Sequence, residues 1–171
     1  MKSYYRVILI FLNTNSNNMI EKVNPHHPDK VADRIAGAIV DLAYKKQDDP
    51  KIAVEVLIGH GVANVIVESS VCITEGEVST IVERITGRDD IYVALIAKKQ
   101  DRFLAQNQDN GFRCGDNGIF KGVPLTEEEK KLSKIAHDIY AKYPTDGKYI
   151  LADGKLIICQ SCASKDELQN E

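Results

Sequence analysis

Residues 21–30 read Glu-Lys-Val-Asn-Pro-His-His-Pro-Asp-Lys, setting an imidazole, a carboxylate and an ammonium where a loop becomes a helix. Pro28 suits the first helical position, because its missing N–H costs nothing there and its fixed φ is already helical. His27 then falls at the N-cap, with Asp29 and Lys30 in the first turn. Unsatisfied backbone N–H groups, the positive end of a helix dipole, a cation and a carboxylate able to hold Mg²⁺ are the parts of a polyphosphate site. The same residues also make an ordinary helix start, with Asp favoured beside the dipole and Lys turned to water. Spacing alone does not choose between the two.

Other residues with chemical potential have equally plain explanations. Glu55 and Glu68 stand in apolar runs, where an outward-facing acid on a solvated strand face accounts for each. Asp146-Gly147 reads as a turn before Lys148, and Gly115-Asp116-Asn117-Gly118 as another. Cys159 and Cys162 have C-x-x-C spacing, which serves zinc or redox sites, yet Cys72 and Cys114 supply no second pair. Two small residues at the end of a strand explain them as well. His26, His60 and His137 read as surface residues.

With 22 basic and 25 acidic residues among 171, the net charge of −3 argues against nucleic acid or an anionic membrane as a bulk electrostatic partner. The apolar run at 7–12 is short for a signal-peptide core and far too short to span a membrane. It reads either as a first strand or as part of an extension preceding a start at Met19. Four cysteines without a disulfide framework make a reducing cytoplasm the expected location. Trp is absent, so stacking on a base would fall to Tyr or Phe.

The elements follow from periodicity. A helix from Pro28 to about residue 46 carries Val31, Ile35, Ala38, Ile39 and Leu42 on one face. Residues 51–58 and 62–71 are β-branched runs joined at Gly59-His60-Gly61, a hairpin. Thr74 and Glu77 form a capping box for a second helix, with Val78, Ile81, Val82 and Ile85 inward and Gly87 at its end. Residues 91–97 make an apolar strand. A polar stretch at 98–125 reads as a loop. Thr126 and Glu129 form another capping box, opening a helix with Leu132, Ile135, Ala136 and Ile139 inward and Pro144 closing it. Asp153-Gly154 joins two further strands in a hairpin.

Taken in order, these segments resemble the S-adenosylmethionine synthetase (methionine adenosyltransferase) family. Glu21-x5-His27-Pro-Asp-Lys30-x-Ala-Asp33 is similar to its opening motif. Asp49-Pro-Lys51 and Ala53-Val-Glu55 resemble its first inner strand, Gly61 and Glu68-Ser-Ser70 the hairpin after it, and Lys99-Gln100 the end of the next strand. Gly115-Asp116-Asn117-Gly118 resembles its Gly-Asp-Gln-Gly signature, and Asp146-Gly-Lys148 its Asp-Ala-Lys. The resemblance runs from about residue 20 to residue 162. Departures accompany it: His26 replaces a glycine, Asn117 replaces the signature glutamine, residues 101–106 lack the Ser-Pro-Asp-Ile run, and the loop up to Gly115 is shorter. The family's glycine-rich phosphate segment and its further cations have no counterpart in these residues.

The resemblance implies an α/β (α+β) fold, a two-layer β-α-β-β-α-β sandwich of the synthetase type followed by a helix and hairpin of a second, incomplete domain. The implied divisions are an extension or first strand at 1–19, an N-terminal-like domain at 20–100, a loop at 101–125, a partial second domain at 126–162 and a tail at 163–171. The implied reaction transfers adenosyl from ATP to the sulfur of L-methionine with loss of triphosphate, using Mg²⁺ and K⁺. His27, Lys30 and Lys148 would serve catalysis at the triphosphate, with Asp146 near the nucleoside. Glu68, Gln100 and Asp116 would hold methionine. Asp29 would ligate Mg²⁺, Glu55 would sit at a K⁺ site, and Glu21 near the cation cluster. The family builds its sites across a dimer interface, so a homo-oligomer, or a hetero-oligomer with a synthetase-type chain supplying the missing groups, is implied. A non-catalytic regulatory subunit or remnant that associates with a full-length synthetase is the alternative.

Overall fold

The computed structural model of the chain describes residues 5–11, 19–109, 124 and 126–169. Its elements run β1 (Tyr5–Phe11), β2 (Ile20–Val23), α1 (Pro28–Lys46), β3 (Ile52–Gly59), β4 (Val62–Ser69), α2 (Glu75–Thr86), β5 (Tyr92–Lys98), α3 (Arg102–Asp109), α4 (Glu127–Lys142), β6 (Gly147–Ala152), β7 (Lys155–Ser161) and α5 (Lys165–Gln169). They form two compact units. One takes α1 from Val31 onward, α2, α3 and the sheet β3-β4-β5. The other takes α1 through Lys30, α4, α5 and the sheet β1-β7-β6-β2. This is a mixed α+β fold, and no helix among the described residues is long and apolar enough to cross a membrane.

In the three-stranded sheet β3 and β4 are antiparallel and β4 and β5 parallel, with α2 as the crossover. The β3–β4 turn is His60-Gly61, at φ 50° and 80°, the left-handed pair that matches the twist of a two-residue hairpin. Ile52, Ala63, Val65, Val67 and Val93 point to one face, where Ile35, Ile39 and Ala43 of α1 and Val78, Ile81 and Val82 of α2 cover them. The other face stays open, and Leu57, Ile66, Tyr92 and Ile96 are exposed on it. Because strand side chains alternate, the same open face carries Glu55 and Glu68.

The four-stranded sheet is antiparallel throughout, with the Asp153-Gly154 hairpin at its centre. Tyr149, Leu151, Leu156 and Ile158 pack on Leu132, Ala136 and Ile139 of α4, joined by Ala163 and Leu168. The strand expected at 7–12 runs Tyr5–Phe11 and pairs with β7. The four residues of β2, inside the stretch read as loop, pair with β6.

Two readings of polar sequence as irregular chain are corrected. Arg102–Asp109 within the expected 101–125 loop is helical, because Asp101 Oδ1 accepts from the Phe103 and Leu104 N–H groups at 2.9 and 3.3 Å. Asp109 at its other end is bound to Lys51 at 2.9 Å. Part of the expected tail, Lys165–Gln169, is also helical. Ser164 Oγ accepts from the Glu167 N–H and Glu167 Oε2 from the Ser164 N–H, a reciprocal cap.

The Thr74 capping box forms as its sequence requires, with Glu77 Oε2 accepting from the Thr74 N–H at 2.9 Å. Lys46 Nζ, from the last turn of α1, reaches Glu77 Oε1 at 2.6 Å and thereby ties the two helices that cover the sheet. The Lys46 ammonium, then the Thr74 backbone and hydroxyl, lower the Glu77 pKa from 4.5 to about 2. A carboxyl depressed on folding stabilises the fold fully above its unfolded value and loses that contribution as pH falls through its folded one. Thermal unfolding of the wild type should therefore lose stability between pH 4.5 and about 2. Glu77→Gln should be less stable at pH 6 and converge on the wild type near pH 2. A constant gap between the two melting curves across that range would contradict the assignment.

Candidate functional site

The 21–30 segment forms a short edge strand, a tight turn and the first turn of α1. His27 is the N-cap, and its ring does the capping: Nδ1 accepts the Asp29 N–H at 3.2 Å. A ring nitrogen that accepts carries no proton, so the neutral imidazole holds its proton on Nε2 and keeps Nε2–H as a donor. The turn is closed by the His27 N–H on the Asn24 carbonyl at 3.1 Å and the Lys30 N–H on the His27 carbonyl at 2.9 Å. The His27 side chain is 18% exposed, whereas that of Asp29 is 75% exposed. The imidazole is fixed and the carboxylate is presented.

Asp29 and Lys30 line an open cleft of about 460 Å³ with Glu21 and Lys22 of β2 and with Glu129 and Ser133 of α4. Lys148 on β6 joins this group through Glu21, with Nζ 2.9 Å from Oε1. The two side chains are 37% and 48% exposed, so the pair is worth only about 0–1 kcal/mol and exchanges partners at little cost. Asp146 lies in the loop before β6, where its charge and burial both push the Cys159 thiol pKa up, burial the more strongly. That keeps Cys159 protonated, and Cys159 and Cys162 are both free thiols.

What holds these pieces in register is a buried amide network that the motifs did not reveal. Asn24, 2% exposed, donates from Nδ2 to the Thr145 carbonyl at 2.8 Å and accepts the His26 N–H on Oδ1 at 3.1 Å. Gln160, fully buried, accepts the Tyr149 hydroxyl on Oε1 at 2.7 Å. Its Nε2 donates to Thr145 Oγ1 at 3.0 Å and to the Thr145 carbonyl at 3.2 Å. Gly147 has to be glycine: a Cβ there would come within 2.3 Å of Gln160 Oε1 and 2.6 Å of Asn24 Nδ2. One signal was available in sequence. Leu156, Ile158 and Gln160 share strand parity, so an inward glutamine follows from an inward leucine and isoleucine.

The remaining candidates belong to the other unit. Glu55 and Glu68 occupy diagonal positions on the open sheet face, Glu55 opposite Ile66 and Glu68 opposite Ala53, which sets their backbones about 7–8 Å apart. Glu55 is exposed; Glu68 is half-buried and accepts the Asp101 N–H at 3.5 Å. Gln100 is 8% exposed, and neither its amide oxygen nor its amide nitrogen has a hydrogen-bond partner among the described residues. A buried amide left unmatched is costly. Asp116, with the rest of its turn, lies outside the described residues.

Among the described residues no group of three or more His, Cys, Asp or Glu side chains could hold a metal by itself. That donor set suits Mg²⁺ only in its usual protein environment, one or two carboxylates with water and substrate phosphate oxygens completing the octahedron. Asp29 and Glu21, which both line the cleft, would supply such carboxylates. Glu55 offers K⁺ a single exposed carboxylate.

A family model for the N-terminal domain of S-adenosylmethionine synthetase matches residues 17–107. Among solved structures, an unusual S-adenosylmethionine synthetase from Campylobacter jejuni is similar, with a TM-score of 0.56 and 16% identity over 90% of this chain and 51% of that one. At that identity the likeness is one of fold. The chain spans about half the length of that synthetase.

The amide network makes a prediction that needs no ligand. Tyr149→Phe keeps the ring but leaves Gln160 Oε1 without its donor, which should cost about 1–3 kcal/mol in urea unfolding. Gly147→Ala should be at least as damaging, since the added methyl collides with two amides and the Tyr149 hydroxyl. A Gly147→Ala protein as stable as the wild type would show that this network is not what fixes the loop.

Proposed function

The chain belongs to the S-adenosylmethionine synthetase family, and we propose that it acts in adenosyl transfer from ATP to the sulfur of methionine as one chain of a homo- or hetero-oligomer. The observation that carries this reading is the convergence of Glu21, Asp29 and Lys30 on one cleft, with Lys148 paired to Glu21. The methionine sulfur is already a neutral nucleophile, so attack on C5′ of ATP needs no general base. The barrier lies in alignment and in the charge gathering on the departing triphosphate. Lys30, Lys148 and the Nε2–H of His27 are donors for that charge. Lys148 would leave its weak pair with Glu21 for a phosphate oxygen, freeing the Glu21 carboxylate. Mg²⁺, held by Asp29 with Glu21, would neutralise further phosphate charge. Asp146 would lie near the nucleoside. On the methionine side Glu68 would take the ammonium, with Asp116 and the buried amide of Gln100 beside it and K⁺ at Glu55.

The open sheet face supports association. Leu57, Ile66, Tyr92 and Ile96 are between 43% and 72% exposed on it, an apolar area of the kind that marks protein contacts. Light scattering at micromolar concentration should give a dimer or larger, and Ile66→Glu should shift it towards monomer. A wild-type monomer at every soluble concentration would contradict this part.

The phosphate site has its own test. Calorimetry should show tripolyphosphate binding that depends on Mg²⁺. Asp29→Asn should abolish the metal dependence, and Lys148→Ala should weaken binding by about 1.5–3 kcal/mol, the usual range for a hydrogen bond to a charged group. Identical titrations for wild type and both variants would return this turn to an ordinary capped helix start.

A further inference from the structure

We propose that His26 and Tyr140 form a strut that positions the 27–30 turn for phosphate, so that residue 26 serves binding without touching the ligand. The proposal rests on the phosphate reading above and adds a positioning pair to it. Tyr140 Oη lies 2.8 Å from His26 Nδ1, and the two rings face each other at 5.5 Å between centroids. A phenol hydroxyl and an imidazole nitrogen can each donate or accept, so the two side chains hydrogen-bond through these atoms in either tautomer.

The strut completes a triangulation. The His26 N–H is held by Asn24 Oδ1, and Asn24 itself is anchored on the Thr145 carbonyl, which fixes the turn to the loop before β6. The ring of His26 fixes the same turn to α4. On that helix Glu129, Ser133 and Tyr140 are spaced by four and seven residues, one stripe of the surface. Glu129 and Ser133 wall the cleft that Asp29 and Lys30 enter. Tyr140 therefore ties the turn to the helix whose face forms the opposite wall. His26 is not among the described residues at positive φ, so its backbone accepts a side chain without strain. The position where the family resemblance expects glycine is thus open to a residue that reaches across to α4.

Removing the strut should loosen the turn without unfolding the unit, since His26 is exposed and the core of α4 is Leu132, Ala136 and Ile139. His26→Gly and Tyr140→Phe should each speed amide hydrogen exchange at His27, Asp29 and Lys30 by about two- to tenfold, the size of one ordinary hydrogen bond. Each should weaken Mg²⁺–tripolyphosphate binding by a similar factor, and the double variant should be no worse than either single one. Exchange at the α4 amides around Ala136 should stay at wild-type rates. Unchanged turn exchange in both single variants would overturn the strut. Faster exchange with unaltered tripolyphosphate affinity would overturn its positioning role. If the wild type fails to bind tripolyphosphate, the phosphate reading falls and the positioning role with it, while exchange still decides whether the strut exists.

Discussion

The contact on which one whole unit depends is the cluster of Asn24, Tyr149 and Gln160 around Gly147. β2 has only four residues, and an edge strand that short cannot set its own register by pairing alone. The Asn24 N–H on the Gly147 carbonyl continues the β2–β6 pairing one step beyond the strand, and the buried amides then lock the turn that follows. Such a network is stable because it is complete: every polar atom of Gln160 and Asn24 described above has a partner at hydrogen-bond distance. Losing one member would strand the others in a place without water, which is why the cost of a single change exceeds the worth of a single bond. The same lattice fixes both the His27 turn and the backbone leading to Lys148, so the candidate site and the fold rest on one set of residues.

Electrostatics in that unit are arranged for exchange rather than for rigidity. Lys148 and Glu21 are each more than a third exposed, so their attraction is screened and small. His27 is different: it is largely covered, and its ring nitrogen is committed to capping α1. A helix start whose cap is itself an imidazole leaves one N–H donor aimed away from the helix. The contrast sets a fixed donor beside weakly held charges.

Local signals in the sequence were sufficient wherever structure is local. The faces of α1, α2 and α4, the capping boxes at Thr74 and Thr126, and the hairpins at His60-Gly61 and Asp153-Gly154 all follow from spacing within a few residues. What was not legible depends on distant partners. β2 is a strand because β6 lies beside it more than a hundred residues later, and nothing in Ile-Glu-Lys-Val announces that. α3 looked like loop because its composition is polar, and it exists through the Asp101 cap and the Asp109–Lys51 pair. The candidate site divides the same way: the His27–Lys30 turn was readable, whereas Asn24, Gln160 and the His26–Tyr140 pair were not. Gln160 could have been flagged by strand parity. His26 and Tyr140 are 114 positions apart, and only the fold joins them.

The second unit poses the complementary problem, because it carries costs that its described residues do not offset. Among the described residues nothing matches the two amide atoms of buried Gln100, and an unmatched buried group of this kind costs about 1–3 kcal/mol. On the open face of its sheet, Ile66 and Ile96 lie side by side in register with Glu55, a row that exposes two large apolar side chains next to a carboxylate. A protein selected for stability alone would replace that glutamine with an apolar residue and make that face polar. Both features become favourable when a polar ligand satisfies the amide and a second surface covers the isoleucines. The core beneath is full, with Ile35, Ile39, Ala43, Val78 and Ala63 wholly buried, so this unit can sustain such costs without losing its fold. The open apolar face thus lies on the side of the sheet where Glu55 and Glu68 stand, away from the helices that stabilise it.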